Sequence, residues 1–455
     1  MKLMTEKFVI TGGSKLQGTV KVSGAKNVAL KALIAACLTD EEIVIHNVPL
    51  ISDFFIMVDI IRELGGTITF TDHTVSIRIK NFVKHELSLE TAAKIRTSFM
   101  FLAPLLLRTG EAIIPNPGGC RLGARPIDRL VDGLNDMGAN ITYHSEDGYF
   151  HAKAAGLRGT TYTFPKNTHT GTETLIIAAV LAKGKTILHN AAEEPEINEL
   201  IDLLNAMGAD IKRTASRVIE ISGVGRLHGA THVIKPDRNE VVTFAIAAIV
   251  TRGDVLVKGA RTNALKEFLD KLEQAGGGYE ETDDGIRFFA SGDLKAVDIE
   301  TGPHPGFMTD WQAPWAILMT QAKGKAIIHE TVFEDKFGYI ADLKKMGAKV
   351  KLFNPDVKDR EMVYNFNLAD DRPEFFHAVQ ITGPTQLHNA VATMVDLRAG
   401  AAIVTAALAA KGTSTIFGID KLDRGYEDFE KRVRALGGNI KRVDDEAFRE
   451  EKTGD

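Results

Sequence analysis

The chain has 455 residues, more than one hydrophobic core usually serves, so at least two domains are expected. A net charge of −5 and a pI near 6.3 argue against nucleic acid as the main partner, because a phosphate backbone needs a basic face. With only Cys37 and Cys120 as cysteines, no apolar leader, and apolar runs such as 98–107 well short of the ~20 residues of a membrane helix, the expectation is a cytoplasmic protein with no disulfide and no membrane span.

In chain order, the first marked stretch is VSGAKNVALKALIAACL (22–38). Ser23 is placed to cap a helix whose first turn holds Lys26 and Asn27. Open backbone N–H groups beside a lysine suit an anion, although a solvated surface lysine is the plainer reading. The run SFMFLAPLLL (98–107) reads as buried helix. In PGGCRLGARPID (117–128), Cys120 lies among Arg121, Arg125 and, just beyond, Arg129. Positive neighbours lower a thiol pKa. A lone cysteine is also among the residues most often buried, so local chemistry leaves a reactive and a structural thiol both open. KNTHTGTET (166–174) carries His169, which has no companion His or Cys at metal-ligand spacing. In 196–210, Ile197, Leu200, Ile201, Leu204 and Met207 form one apolar helix face.

The second half holds PHPGFMTDWQAPWAILM (303–319), where capping by Thr309 or Asp310 is a better reading than a catalytic carboxylate. Asp396 and Arg398, then Asp423 and Arg424, fall at strand-to-helix transitions, where caps or ion pairs explain them. No HExxH, CxxC, phosphate-loop or GxGxxG pattern occurs, so neither a metal nor a nucleotide cofactor is expected. The charged end, DDEAFREEKTGD, is expected to fray.

One signature recurs six times: an apolar residue, Gly, then Gly or Ala, then a short strand. Its first glycines are Gly65, Gly138, Gly208, Gly276, Gly347 and Gly437, spaced 73, 70, 68, 71 and 90 residues apart. Near-constant spacing marks an internal repeat, and the long last interval implies an insertion within about 349–390. Between these glycines, Ala-rich helices run into β-branched strands in 176–191, 245–260 and 405–419, with Gly184, Gly253 and Gly412 as left-handed helix ends. Such a unit closes no core alone. Three would share one, giving two three-unit domains with a boundary near 231–240.

The ordered series SGAKN, KIRTSF, PGGCRLGARPID, EPEI, PDRNE, PHPGFMTD, ETVFE, DLRAGAA and DRGYE resembles the UDP-N-acetylglucosamine enolpyruvyl transferases (1-carboxyvinyltransferases) of the EPSP synthase superfamily, over nearly the whole chain. The resemblance implies a two-domain inside-out α/β barrel of six βαβαββ repeats, three per domain, with helices inside and sheets outside. It implies one domain of residues 26–235 carrying the Cys120 loop as a lid, and a second of residues 1–25 and 236–455. It implies phosphoenolpyruvate and UDP-N-acetylglucosamine as substrates, bound between the domains, and no metal. By resemblance, Lys26, Arg125 and Arg424 match the groups that hold the phosphate and carboxylate of phosphoenolpyruvate. Asp310 matches the general base at the sugar 3′-hydroxyl, and Cys120 the general acid. Asn27, Arg96, Pro126, Ile127, Asp128, Arg129, Lys166, Asn167, Thr168, His169, Thr170 and Val332 match substrate contacts, and Asp396 with Arg398 a charged pair beside the phosphoenolpyruvate site.

Several positions depart from the pattern. Lys336 stands where an arginine is common and is not an equivalent fork donor. THTGTET replaces a smaller Ser-Val-Gly-Ala-type run, and Glu193 sits where many relatives carry arginine. Two enzymatic alternatives are an enolpyruvylshikimate-phosphate synthase, disfavoured by the lid cysteine, and an RNA-terminal-phosphate cyclase, disfavoured by the acidic balance. A non-catalytic nucleotide-sugar-binding relative would need no proton donor. The oligomeric state is not read from the sequence.

Overall fold

The computed structural model describes residues 6–118 and 127–444. They fall into two compact units, one of residues 24–118 and 127–235, the other of residues 6–23 and 236–444. Among the described residues the assignment changes at 23/24 and at 235/236, and the second unit draws on residues from both sides of the first.

The first unit is organised on three helices: α1 (Lys26–Ala36), α2 (Leu102–Thr109) and α3 (His169–Ala179). Nine residues of α1 and nine of α3 are buried, because Ala, Leu and Ile surround the helix rather than lining one stripe. Both pack on the 3-10 helix Arg96–Phe101, which runs directly into α2, so the apolar run at 98–107 is buried as expected. Three sheets surround this core. Their strand orders are Ala230–Val233, Ile43–His46, Thr74–Arg78, Thr67–Thr71; then Glu111–Pro115, Tyr149–Lys153, Asn140–His144; then Thr161–Thr163, Lys185–His189, Val218–Ser222, Asp210–Ala215.

The second unit repeats the plan around α4 (Arg238–Val250), α5 (Thr309–Gln321) and α6 (Leu397–Ala409), which pack pairwise against one another. All thirteen residues of α4 are buried. Its sheets run Gln17–Lys21, Asp254–Lys258, Gly285–Phe289, Gly278–Thr282; then Ile299–Glu300, Gly324–His329, Ala378–Gly383, Lys349–Phe353; then Val391–Thr393, Thr413–Phe417, Glu6–Thr11, Asn439–Asp444. In each four-stranded sheet one edge strand is parallel to its neighbour and the other pairings are antiparallel. A parallel pair needs a crossover, and the buried helix supplies it, as α3 does between Thr161–Thr163 and Lys185–His189. The strands alternate, Val255 and Val257 facing inward between the more exposed Asp254, Leu256 and Lys258.

All six signature glycines adopt φ between 80° and 99°, the left-handed end that stops each second helix. Gly184 and Gly412 behave as expected, with φ of 101° and 91°. Gly253 does not. Arg252 takes the left-handed turn instead (φ 53°), and Gly253 is required because a Cβ there would lie 2.0 Å from the Leu16 carbonyl oxygen. The insertion is also narrower than 349–390. Lys349–Phe353 and Ala378–Gly383 are paired strands, so the extra chain is their hairpin connection, residues 354–377, with a short helix Arg360–Val363. Tyr364, Phe366 and His377 bury their rings together, and the Asn365 N–H donates to the Thr331 carbonyl at 2.7 Å. No helix among the described residues is long and apolar enough to cross a membrane.

Candidate functional site

In the first unit Lys26 is the first residue of α1. The N-cap is Ala25, which offers no side-chain acceptor; Ser23 does not cap this helix, and its Oγ donates to Glu427 at 3.5 Å within the second unit. First-turn N–H groups without a side-chain cap are the condition under which a helix start takes up an anion. Lys26 Nζ lies 2.7 Å from Asp53 Oδ2, on the adjacent helix Ser52–Glu63, and both side chains are largely buried. Such a pair holds the lysine side chain in place, since stranding either partner costs about 3–5 kcal/mol. Asn27 follows half-buried in the same turn, and Arg96, also half-buried, opens the 3-10 helix Arg96–Phe101.

Half-buried Ile127 and exposed Asp128 lead into the helix Asp128–Asp136. Arg129 Nη1 donates to the Asn167 carbonyl at 3.3 Å, which brings this segment to residues 166–170. Lys166 is half-buried, and the Asn167 amide is tied to the Asn190 carbonyl at 3.1 Å. Thr168 caps α3 by accepting from the Gly171 N–H, and the Thr170 carbonyl accepts from Thr174 Oγ1. His169 Nε2 stands 3.2 Å from Glu173 Oε1, while Lys31 Nζ stands 3.2 Å from Glu173 Oε2. Burial pulls the His169 pKa down, but the charge of Glu173 beside it outweighs this, and the net shift is upward. Burial pushes Glu173 up, but Lys31 and His169 outweigh it, and the net shift is downward. Glu193 is occupied by the Arg217 backbone N–H at 3.0 Å. Cys120, Arg125 and Pro126 lie outside the described residues.

In the second unit the first turns of α4, α5 and α6 meet. Asp396 caps α6, its Oδ1 accepting from the Arg398 and Ala399 N–H groups, both at 2.9 Å. Asp237 caps α4 through the Asn239 N–H at 2.7 Å. Neither Thr309 nor Asp310 caps α5, whose N-cap is Met308 without a side-chain bond. Thr309 Oγ1 donates to Glu330 at 2.9 Å, and Asp310 Oδ2 faces Arg398 Nε at 3.9 Å. Arg398 also faces Asp237 at 3.8 Å and lies over the Tyr426 ring at 5.2 Å. Its Nη1 is buried with no hydrogen-bond partner, as is Lys336 Nζ. Two desolvated cationic donors without acceptors are costly unless an anion completes them.

Glu330 organises the Val332 segment. Its carboxylate accepts from the Val332 and Phe333 N–H groups (2.9 and 3.1 Å), from Thr309, and from Gln312 Nε2 at 3.1 Å. Burial raises its pKa, opposed by the charge of Lys336. Half-buried Arg424 sits in the turn before the helix Phe429–Ala435, whereas its neighbour Asp423 is spent on Arg442 at 2.6 Å. Sequence reasoning missed Asp53, Lys31, Glu173, Asp237 and Glu330 as partners. Asp237 and Glu330 lie inside the quoted PDRNE and ETVFE stretches, and Glu173 stands at i,i+4 from His169 within KNTHTGTET, whereas nothing in spacing marks Asp53 or Lys31 as partners.

A family profile described as EPSP synthase (3-phosphoshikimate 1-carboxyvinyltransferase) matches residues 10–433. UDP-N-acetylglucosamine 1-carboxyvinyltransferase of Koribacter versatilis is 40% identical over 442 residues, covering 96% of each chain. The chain belongs to the UDP-N-acetylglucosamine 1-carboxyvinyltransferase family. Two further carboxyvinyltransferases of that family are similarly related. That of Carboxydothermus hydrogenoformans is 40% identical, covering 97% of this chain and 100% of its own. That of Caldanaerobacter subterraneus is 41% identical over 438 residues, covering 96% and 99%. The fold is that of the enolpyruvyl transferases. It matches the crystal structure of NikO from Streptomyces tendae with a TM-score of 0.84 at 23% identity, over 97% of this chain and 99% of that one. It matches EPSP synthase from Acinetobacter baumannii with a TM-score of 0.72 at 19% identity, over 96% and 100%.

Proposed function

We infer that this carboxyvinyltransferase moves the enolpyruvyl group of phosphoenolpyruvate to the 3′-hydroxyl of UDP-N-acetylglucosamine and releases phosphate, the first committed step of peptidoglycan synthesis. The observation that carries the reading is 40–41% identity along almost the full length of relatives named for that reaction. The reaction needs converging cations for a phosphate and a carboxylate, one group to protonate C3 of the enol, and another to take a proton from the attacking hydroxyl. Protonation at C3 builds cationic character at C2, the 3′-hydroxyl adds there, and loss of a C3 proton and of phosphate gives the enol ether.

We assign Lys26, Arg125 and Arg424 to phosphoenolpyruvate, Asp310 to the hydroxyl proton and Cys120 to C3. The remaining contacts fall to Asn27, Arg96, residues 126–129, residues 166–170, Val332, Lys336, Asp396 and Arg398. The Lys26–Asp53 pair supports a fixed cation, and the partnerless donors of Arg398 and Lys336 support an anionic ligand beside Asp310. Both substrates are intracellular metabolites, and we place the reaction in the cytoplasm.

The test is phosphate release from phosphoenolpyruvate with UDP-N-acetylglucosamine in one arm and shikimate 3-phosphate in the other. Release only with the nucleotide sugar is expected. Release only with shikimate 3-phosphate would favour the sister reaction, and none with either would favour a binding protein.

A further inference from the structure

The strands Asn140–His144 and Tyr149–Lys153 form a hairpin in the first unit, and its sequence HSEDGYFH puts chemistry on one face that the transfer reaction does not use. The register pairs Thr142 with His151 and His144 with Tyr149. His144 and His151 are therefore diagonal neighbours on the same face of the pair. Their rings stack with centroids 4.1 Å apart and planes 17° apart. Asp147, in the turn, places Oδ2 2.8 Å from His151 Nε2. One ligand atom from each of the three residues can be chosen so that all lie within 4.8 Å of one another, the only such His, Cys, Asp or Glu group among the described residues.

The turn is well held. The Asp147 carboxylate accepts from the Tyr149 N–H at 2.8 Å, the Gly148 N–H donates to the His144 carbonyl at 2.9 Å, and the Asn116 N–H donates to the Gly148 carbonyl at 3.0 Å. A solvent-exposed His–Asp pair contributes little on its own. It also does not call for the second imidazole, His144, whose Nε2 meets Thr142 Oγ1 at 3.1 Å, at stacking distance from His151. A divalent cation accounts for all three groups.

We propose that His144, Asp147 and His151 form a surface site for a borderline divalent transition metal such as Zn²⁺, clipping the two strands across their turn. Two imidazoles and one carboxylate suit Zn²⁺ rather than the all-oxygen preference of Mg²⁺ or Ca²⁺, and leave a fourth position open. Tetrahedral coordination at about 2.0–2.2 Å draws the ligand atoms to roughly 3.3 Å apart, a contraction within reach of side-chain rotation at exposed positions.

The test is equilibrium dialysis of the full chain against Zn²⁺ in a Cys120→Ser background, which removes the thiol as a competing ligand. The parent is expected to hold one more ion per chain than the His144→Ala/His151→Ala variant, and Asp147→Asn to hold it more weakly. Added Zn²⁺ should raise the thermal midpoint of the parent and not of the double variant, while the two melt alike after chelation. Equal zinc content in parent and double variant, or no zinc above the chelated background in the parent, would overturn the proposal.

Discussion

At the level of single side chains, Cys37 is removed from thiol chemistry: it is fully buried, its thiol donates to the Leu33 carbonyl at 3.3 Å, and burial pushes its pKa far up, so little thiolate forms. The proton-donor role assigned above to Cys120 requires an accessible thiol. A thiol-directed epoxide such as fosfomycin is expected to label Cys120 and spare Cys37, faster with nucleotide sugar present. Peptide mass spectrometry reads the outcome, and label on Cys37 would count against it. Cys120→Ser should keep the fold and lower turnover by about 10²–10⁴-fold, the usual range for a lost general acid. Unchanged turnover would remove the thiol from the chemistry. What was legible at this scale is position: Lys26, Asp310 and Arg398 stand at helix starts, while residue type alone favoured a surface lysine, a cap and an ion pair, and their roles came only from the resemblance. Their partners were not legible, because Asp53 is 27 positions from Lys26 and only the packed helices bring the two together.

Elements set the next level, and the junction of α1 with the first turn of α3 makes a testable case. The raised His169 pKa means its stabilising contribution is full below the ordinary value of 6.5 and is lost as pH rises through the folded value. The lowered Glu173 pKa works in the opposite sense, its contribution being full above the ordinary 4.5 and lost as pH falls through the folded value. The Lys31–Glu173–His169 group should therefore stabilise most between about pH 4.5 and 6.5. The gap in thermal midpoint between the parent and His169→Gln should shrink from pH 6 to pH 9. A gap that stays constant or widens would show that His169 titrates outside the group. Helix identity and the glycine stops were readable because all-round apolar composition and a left-handed glycine each have one physical cause. Caps were less so. Ser, Thr and Asp suit the cap position equally well in sequence, and tertiary partners such as Glu330 for Thr309 decide which of them is used elsewhere.

The two units differ as whole bodies in how they are assembled from the chain. The first draws its described residues, 24–118 and 127–235, from the middle of the chain and has its own core, so residues 24–235 are expected to fold alone with a cooperative melt by circular dichroism. Residues 236–455 alone lack the strands Glu6–Thr11 and Gln17–Lys21, and are expected to melt cooperatively only when residues 1–23 are supplied as a peptide. Glu6–Thr11 is no edge decoration: Phe8 pairs with Ile416 on one side and Arg442 on the other, and its ring is fully buried. On the ribosome this strand is made well before its second partner, Asn439–Asp444. At about 5–20 residues per second the wait is roughly 20 to 90 seconds, with both edges of an apolar strand open to wrong pairings. Nascent-chain holding factors would act on this strand until Asn439–Asp444 emerges.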